Sequence, residues 1–142
     1  MKVTTYDELY ETFLVNCGYD FDELPKTDEM RYMMIRNAAR IYNQQAKKYS
    51  NRMTNNIVCD DIAESLNVTL TSNEMLVFAY MMAETLALTK LVEFNSIYGT
   101  FAKEMGFKDY KAQLDGRQYT VDMFRKKYTS IIEDEIDSFL MY

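Results

Sequence analysis

Residues 71–95 read TSNEMLVFAYMMAETLALTKLVEFN, and the reading of this stretch decides the fold. Thr71 and Glu74 make a T-x-x-E capping box, in which hydroxyl and carboxylate each satisfy an orphan amide in the first turn of a helix. Leu70 and Met75 occupy the N′ and N4 positions of a hydrophobic staple, so a helix is expected to start at Ser72. Beyond that start, Met75, Leu76, Val77, Phe78, Ala79, Met82, Leu86 and Leu91 leave almost no polar face. A helix that is apolar all round is a central one, covered by neighbouring helices or by other subunits. Its longest unbroken apolar run, residues 75–83, is far shorter than the roughly 20 residues that span a bilayer, so no membrane association is expected.

Upstream, Thr5-x-x-Glu8 is another capping box, followed by Tyr6, Leu9, Tyr10, Phe13, Leu14 and Cys17 at helical spacing and ended by Gly18. A loop over residues 18–27 carries Pro25, Asp20, Asp22 and Glu23. A second helix is expected over 28–50. At 100° per residue, Met34, Ala38, Ile41, Tyr42 and Tyr49 share one arc, while Arg36, Arg40 and Lys47 gather on the opposite, solvent-facing side. Residues 51–58, NRMTNNIV, have no helical period and read as a loop or extended excursion; a short helix is expected over 60–66. Downstream, Gly99 should kink or break the apolar helix, and Gly106 suits a C′ stop. A last helix then runs from Asp109, a suitable N-cap, to about residue 137, with Tyr110, Leu114, Val121, Phe124, Tyr128 and Ile131 in a narrow seam. The expectation is a single all-α domain over residues 1–142 with about five helices. A long apolar central helix packs with a long C-terminal helix, and one extended loop joins the second and third helices.

Composition supports this architecture. The 142 residues are 48% hydrophobic and 27% charged, a balance that excludes a disordered chain, and four Gly with one Pro supply too few turns for a many-stranded sandwich or barrel. There is no histidine, which removes Ser-His-Asp and Cys-His nucleophiles, His-ligated zinc and the carboxylate/His di-iron bundle. Cys17 and Cys59 form no CxxC pair, and without an apolar leader before them a reduced, intracellular protein is expected. The net charge of −6 conceals alternating blocks: −6 over residues 1–30, +6 over 31–52, −5 over 53–104, +3 over 105–128 and −4 over 129–142. Such blocks pair within one fold, or head to tail between identical subunits.

Two clusters carry candidate chemistry. Residues 31–52 hold Arg31, Arg36, Arg40, Lys47, Lys48 and Arg52 without one acid, the arrangement that phosphate contact requires; it suits either a solvated helix face or a helical DNA-binding regulator using Arg36, Arg40 and Lys47. Asp60, Asp61 and Glu64 are the compact acidic triplet. On a helix, Asp61 and Glu64 would share a face and could hold Mg²⁺, as in an all-α nucleotide pyrophosphohydrolase, but no convincing partner motif exists, and helix-start carboxylates stabilised by the macrodipole are the better account of Asp60 and Asp61. There is no glycine-rich phosphate loop. No catalytic, cofactor-binding or metal residue is assigned, and no enzyme activity is expected.

The order RNAARIYN on a basic helix, the loop NRMTNN, the pair DD, the run MLVFAYMMAETLALTKLVEFNSIYGTFAKEMG and then FKDYKAQLDGR resembles the small head-tail connector, or adaptor, proteins of tailed phages infecting Gram-positive bacteria, over roughly residues 30–130. The resemblance implies a helical subunit of the virion neck, assembled in the bacterial host cytoplasm. It implies a homo-oligomeric ring of about twelve copies beneath the portal that continues the DNA channel, closed by head-to-tail contacts. The portal protein and a tail-side neck protein are the implied partners, with DNA passing through without sequence-specific binding. By the same resemblance, the loop after the second helix reaches towards the channel with Arg52, Asn55 and Asn56. The C-terminal segment 138–142, with Phe139, Leu140, Met141 and Tyr142, docks on the portal; the acidic run before it departs from that pattern.

Overall fold

The first capping box starts helix α1 (Tyr6–Cys17), where the Thr5 hydroxyl oxygen accepts from the Glu8 amide at 3.2 Å and its proton goes to Glu8 Oε1 at 3.1 Å. In this computed structural model, which describes residues 2–49, 53–54, 56–99 and 106–140, α1 buries Tyr6, Leu9 and Phe13. It ends at Gly18 with φ 67°, a left-handed turn that a side chain would resist. The loop that follows contains one 3₁₀ turn, Phe21–Glu23. Helix α2 (Asp28–Tyr49) buries Met34, Ile35, Ala38, Ala39, Tyr42 and Ala46 and leaves Arg36, Arg40 and Lys47 exposed on the arc that periodicity predicts; Ile41, expected on the covered side, is half-buried, and the Tyr49 side chain lies outside the described residues.

The short helix expected over 60–66 is absent. An antiparallel pair, β1 (Cys59–Asp60) and β2 (Ser65–Leu66), stands there in the register Cys59↔Leu66 and Asp60↔Ser65. Two physical causes overrule the helix. Asp60 Oδ1 accepts from the amides of Ile62 and Ala63 at 3.0 and 3.1 Å, a local bond that competes with helical pairing. The backbone groups on the far side are taken by the N-terminal segment: Thr4 N donates to Val68 O, Leu66 N to Thr4 O and Tyr6 N to Glu64 O, at 2.8–3.0 Å.

Helix α3 (Ser72–Tyr98) begins at the second capping box, with both halves made: Glu74 N to Thr71 Oγ1 at 3.2 Å and Thr71 N to Glu74 Oε1 at 3.0 Å. Val77, Phe78, Ala79, Met81, Met82 and Ala83 are all buried, on every side of the helix, because α1, α2 and the last helix enclose it. Burying each large side chain of this kind stabilises the fold by roughly 1.5–3 kcal/mol. More than half of the most apolar 18-residue window of α3 is covered in this way. The helix ends one residue before Gly99, which keeps ordinary right-handed geometry and bonds back to Asn95 O.

Helix α4 (Phe107–Leu140) starts two residues before the expected Asp109. Gly106, expected as a C′ stop, has the positive φ, +89°, that suits such a position, and its carbonyl accepts from Tyr110 N at 3.1 Å in the first turn of α4; what precedes it over 100–105 lies outside the described residues. The α4 seam buries Val121, Phe124, Tyr128 and Ile132, with Ile131 only half-buried. Steps of three, four and four follow the natural helical period rather than the expected alternating seam, so Ile132 replaces Ile131. Among the described residues the molecule is all-α apart from the two-residue strands, and its main packing is the long central helix against the long C-terminal one.

Candidate functional site

The exposed side of α2 becomes one wall of a groove because the chain after it is fastened alongside. Asn43 does the fastening at both ends of one residue: its Nδ2 donates to Ile57 O at 3.0 Å and its Oδ1 accepts from Ile57 N at 2.9 Å. Asn67 repeats the device on the neighbouring residues, accepting from Val58 N at 2.8 Å and donating to Asn56 O at 3.1 Å. Asn56 adopts φ 57°, a left-handed conformation that asparagine tolerates better than most residues. The resulting open groove, of about 490 Å³, is walled by Arg36, Arg40, Gln44 and Lys47 on one side and by Ile57, Val58 and Cys59 on the other.

Electrostatically the groove is one-signed. Arg36 reaches out of it to Asp61 Oδ2, and the other oxygen of that carboxylate accepts from Tyr6 OH at 2.6 Å. Asp61 therefore ties α2, α1 and the hairpin together. Burial and the hydrogen bond to Asp61 push the Tyr6 phenol far above its ordinary range, which keeps it a donor at any physiological pH. Among the described residues, Arg40 and Lys47 pair with no carboxylate. The Cys59 thiol at the groove's end is pushed up chiefly by burial, which keeps it protonated near neutrality.

The sequence-predicted residues are distributed unevenly. Arg36, Arg40 and Lys47 come together as expected. Arg52 and Asn55 lie outside the described residues, so Asn56 alone represents the expected channel loop, and its carbonyl is engaged by Asn67. Phe139 and Leu140 belong to the last turn of α4, while their side chains, with Met141 and Tyr142, lie outside the described residues. Asp61 and Glu64 share no helix face, since they occupy the tight turn of the hairpin, where Glu64 has φ 53°. Among the described residues no three carboxylates or thiols are grouped to hold a metal ion.

Sequence reasoning missed two features. Glu84 is buried in the α3–α4 packing and accepts from Arg125 Nε at 3.3 Å. A lone acid inside an apolar helix is itself the signal, because an interior carboxylate requires a cationic partner. A second open groove, about 620 Å³, runs along α4 past Tyr80, Tyr119, Met123, Lys126 and Lys127. Lys127 stands 5.4 Å from the Tyr80 ring centroid and Asp122 shares the lining, so this groove is mixed in charge where the α2 groove is purely basic.

A family model described as YomZ prophage protein matches residues 1–137 of the chain. A relative from Bacillus subtilis (strain 168), the SPbeta prophage-derived uncharacterized protein YomZ, is 29% identical over 119 residues, covering 84% of this chain and 86% of that protein. No solved structure matches.

Proposed function

The chain belongs to the YomZ prophage protein family, and from that premise we propose that it is a structural subunit of the phage neck, a ring between portal and tail that continues the DNA channel. The observation that carries the reading is the separation of unlike surfaces on one small fold. Residues 106–128 on and before α4 carry six cations against three acids, with Lys108, Lys111, Arg117 and Lys126 exposed, whereas Asp7, Glu11, Asp20 and Asp22 are exposed on α1 and the loop after it. A subunit with one basic and one acidic surface is suited to head-to-tail contacts, which close into a ring when the rotation between neighbours allows. Complementary charge fixes orientation and partner choice more than affinity, so free subunits should associate weakly and gather on a template. The prophage family supplies the biological setting, and in this reading the C-terminal end of α4, through Phe139, Leu140, Met141 and Tyr142, faces the portal.

The test is co-sedimentation of the full chain with purified portal complexes, followed by electron microscopy of the product. A ring added to one end of the portal is expected. Absence of association with the C-terminus intact overturns the assignment.

A further inference from the structure

None of the nine residues lining the α2 groove is acidic, in a chain that carries 22 acids. Arg36, Arg40 and Lys47 follow one another along a single helix at intervals of four and seven residues. At 1.5 Å of rise per residue they stand about 6 and 10.5 Å apart along the axis. Cations spread over roughly 16 Å do not converge on one free phosphate. They match a polymeric anion, since phosphates on one strand of a duplex recur about every 3.4 Å along the axis, placing the three cations about two and three phosphates apart. Gln44, exposed between them, offers an amide to a phosphate or sugar oxygen. Single-stranded nucleic acid binds on aromatic platforms, and the lining contains no aromatic ring.

We infer that the α2 groove, through Arg36, Arg40 and Lys47, is a binding site for the phosphodiester backbone of duplex DNA, without base readout. Arg40 and Lys47 carry most of the attraction, because Asp61 neutralises part of the Arg36 charge. The fastening of Ile57 by Asn43 and of Val58 by Asn67 gives the groove its second wall and holds it open alongside the helix. This inference does not rest on the neck assignment, since it follows from the groove alone.

The experiment measures anisotropy of labelled 30-base-pair duplexes of two unrelated sequences with the full chain at 50–200 mM salt. Two to three phosphate contacts predict a slope of log K against log salt between about −1.8 and −2.7, hence a 12- to 40-fold loss of affinity across that range, equal for both sequences. Arg40→Gln and Lys47→Gln should each make the slope shallower by about 0.9, and Gln44→Lys should steepen it by a similar amount, a gain that damaged folding does not produce. Circular dichroism of each variant verifies the helices. No binding at 50 mM salt overturns the inference, as does binding indifferent to all three substitutions. Displacement of the duplex by millimolar inorganic phosphate at constant ionic strength also overturns it, by showing a single-phosphate pocket. If Arg40→Gln with Lys47→Gln abolishes salt-sensitive self-association and leaves DNA binding intact, the occupant is the acidic surface of a second copy, and the DNA assignment fails. Portal co-sedimentation of the same double variant keeps the two readings apart: loss of DNA binding with retained portal association separates this site from ring assembly.

Discussion

At the scale of single residues, the buried Glu84 side chain is the clearest test of what holds α3 to α4. Its side chain is 7% exposed, and the cation facing it, Arg125, is half in solvent. Removing the cation strands a carboxylate in the core, so Arg125→Ala should cost about 2 kcal/mol in urea unfolding, and Glu84→Gln with Arg125 kept should cost less, because an amide tolerates burial better than a charge. Cys17 makes a second prediction. Burial pushes its thiol up to about 12 against a weak opposing pull from Lys127. The native chain thus keeps this proton to higher pH than the unfolded chain, so the contribution is fully present below the ordinary thiol value near 9 and is lost as pH rises from there towards 12. Between pH 9 and 10 the stability of the native protein should decline, by up to about 1.4 kcal/mol per pH unit for this group, and Cys17→Ala should flatten the decline in urea midpoints. The groove cations were legible in sequence because a 100° periodicity is enough to place Arg36, Arg40 and Lys47 together. Glu84 and Asp61 were not, because their partners lie 41 and 55 residues away in the chain.

At the scale of elements, the junction of α2, the segment that follows it and α3 gathers on one carboxylate. Glu74 accepts from Thr71 N, Thr54 N and Tyr42 OH, each at 3.0 Å. Burial alone would raise its pKa, but the backbone hydrogen bonds from Thr71 and Thr54, with those from the side chains, outweigh it and hold the group below its ordinary value. The stabilisation is present above the unfolded carboxyl value of 4.5 and is lost as pH falls through the lower native one. Glu74→Gln should therefore lower stability at pH 7 and reduce the acid-side loss between pH 5 and pH 3, as measured by thermal melts across that range. Thr71→Ala removes the other half of the cap and should cost about 1 kcal/mol, or a drop of roughly 4 °C in the melting midpoint. Helix starts were readable because a capping box is local, and both predicted boxes start helices. The short helix over 60–66 was misread for the opposite reason: Thr4 and Tyr6 occupy its backbone groups from the other end of the chain, and no local pattern announces that pairing. The shift from Ile131 to Ile132 in the α4 seam has the same origin, since which neighbour is covered depends on the helix it meets.

At the scale of the whole molecule, the apolar content exceeds what the core takes up. The first half of α3 is enclosed on all sides, but Leu88 and Val92, one turn apart further along, remain 44% and 60% exposed. In the proposed ring, charge complementarity between the cations of α4 and the acidic N-terminal surface would orient a neighbouring copy, while apolar area must supply the affinity. A stable contact buries on the order of 1,200–2,000 Å² in total, and two exposed side chains with a charged rim fall short of that, so the purified chain should sediment as a monomer at micromolar concentration. On a portal, as proposed, neighbouring copies would be held at high effective concentration, and the same weak contact would become sufficient. Val92→Glu separates folding from assembly. The side chain is exposed, so the melting midpoint should move by no more than about 2 °C, whereas a carboxylate placed in the contact between copies should remove the portal-templated ring seen by electron microscopy. Rings that form as readily with Val92→Glu as with the native chain would take this face of α3 out of the contact, and the subunits would then have to meet through the charged surfaces alone, with a ring that dissolves as salt is raised.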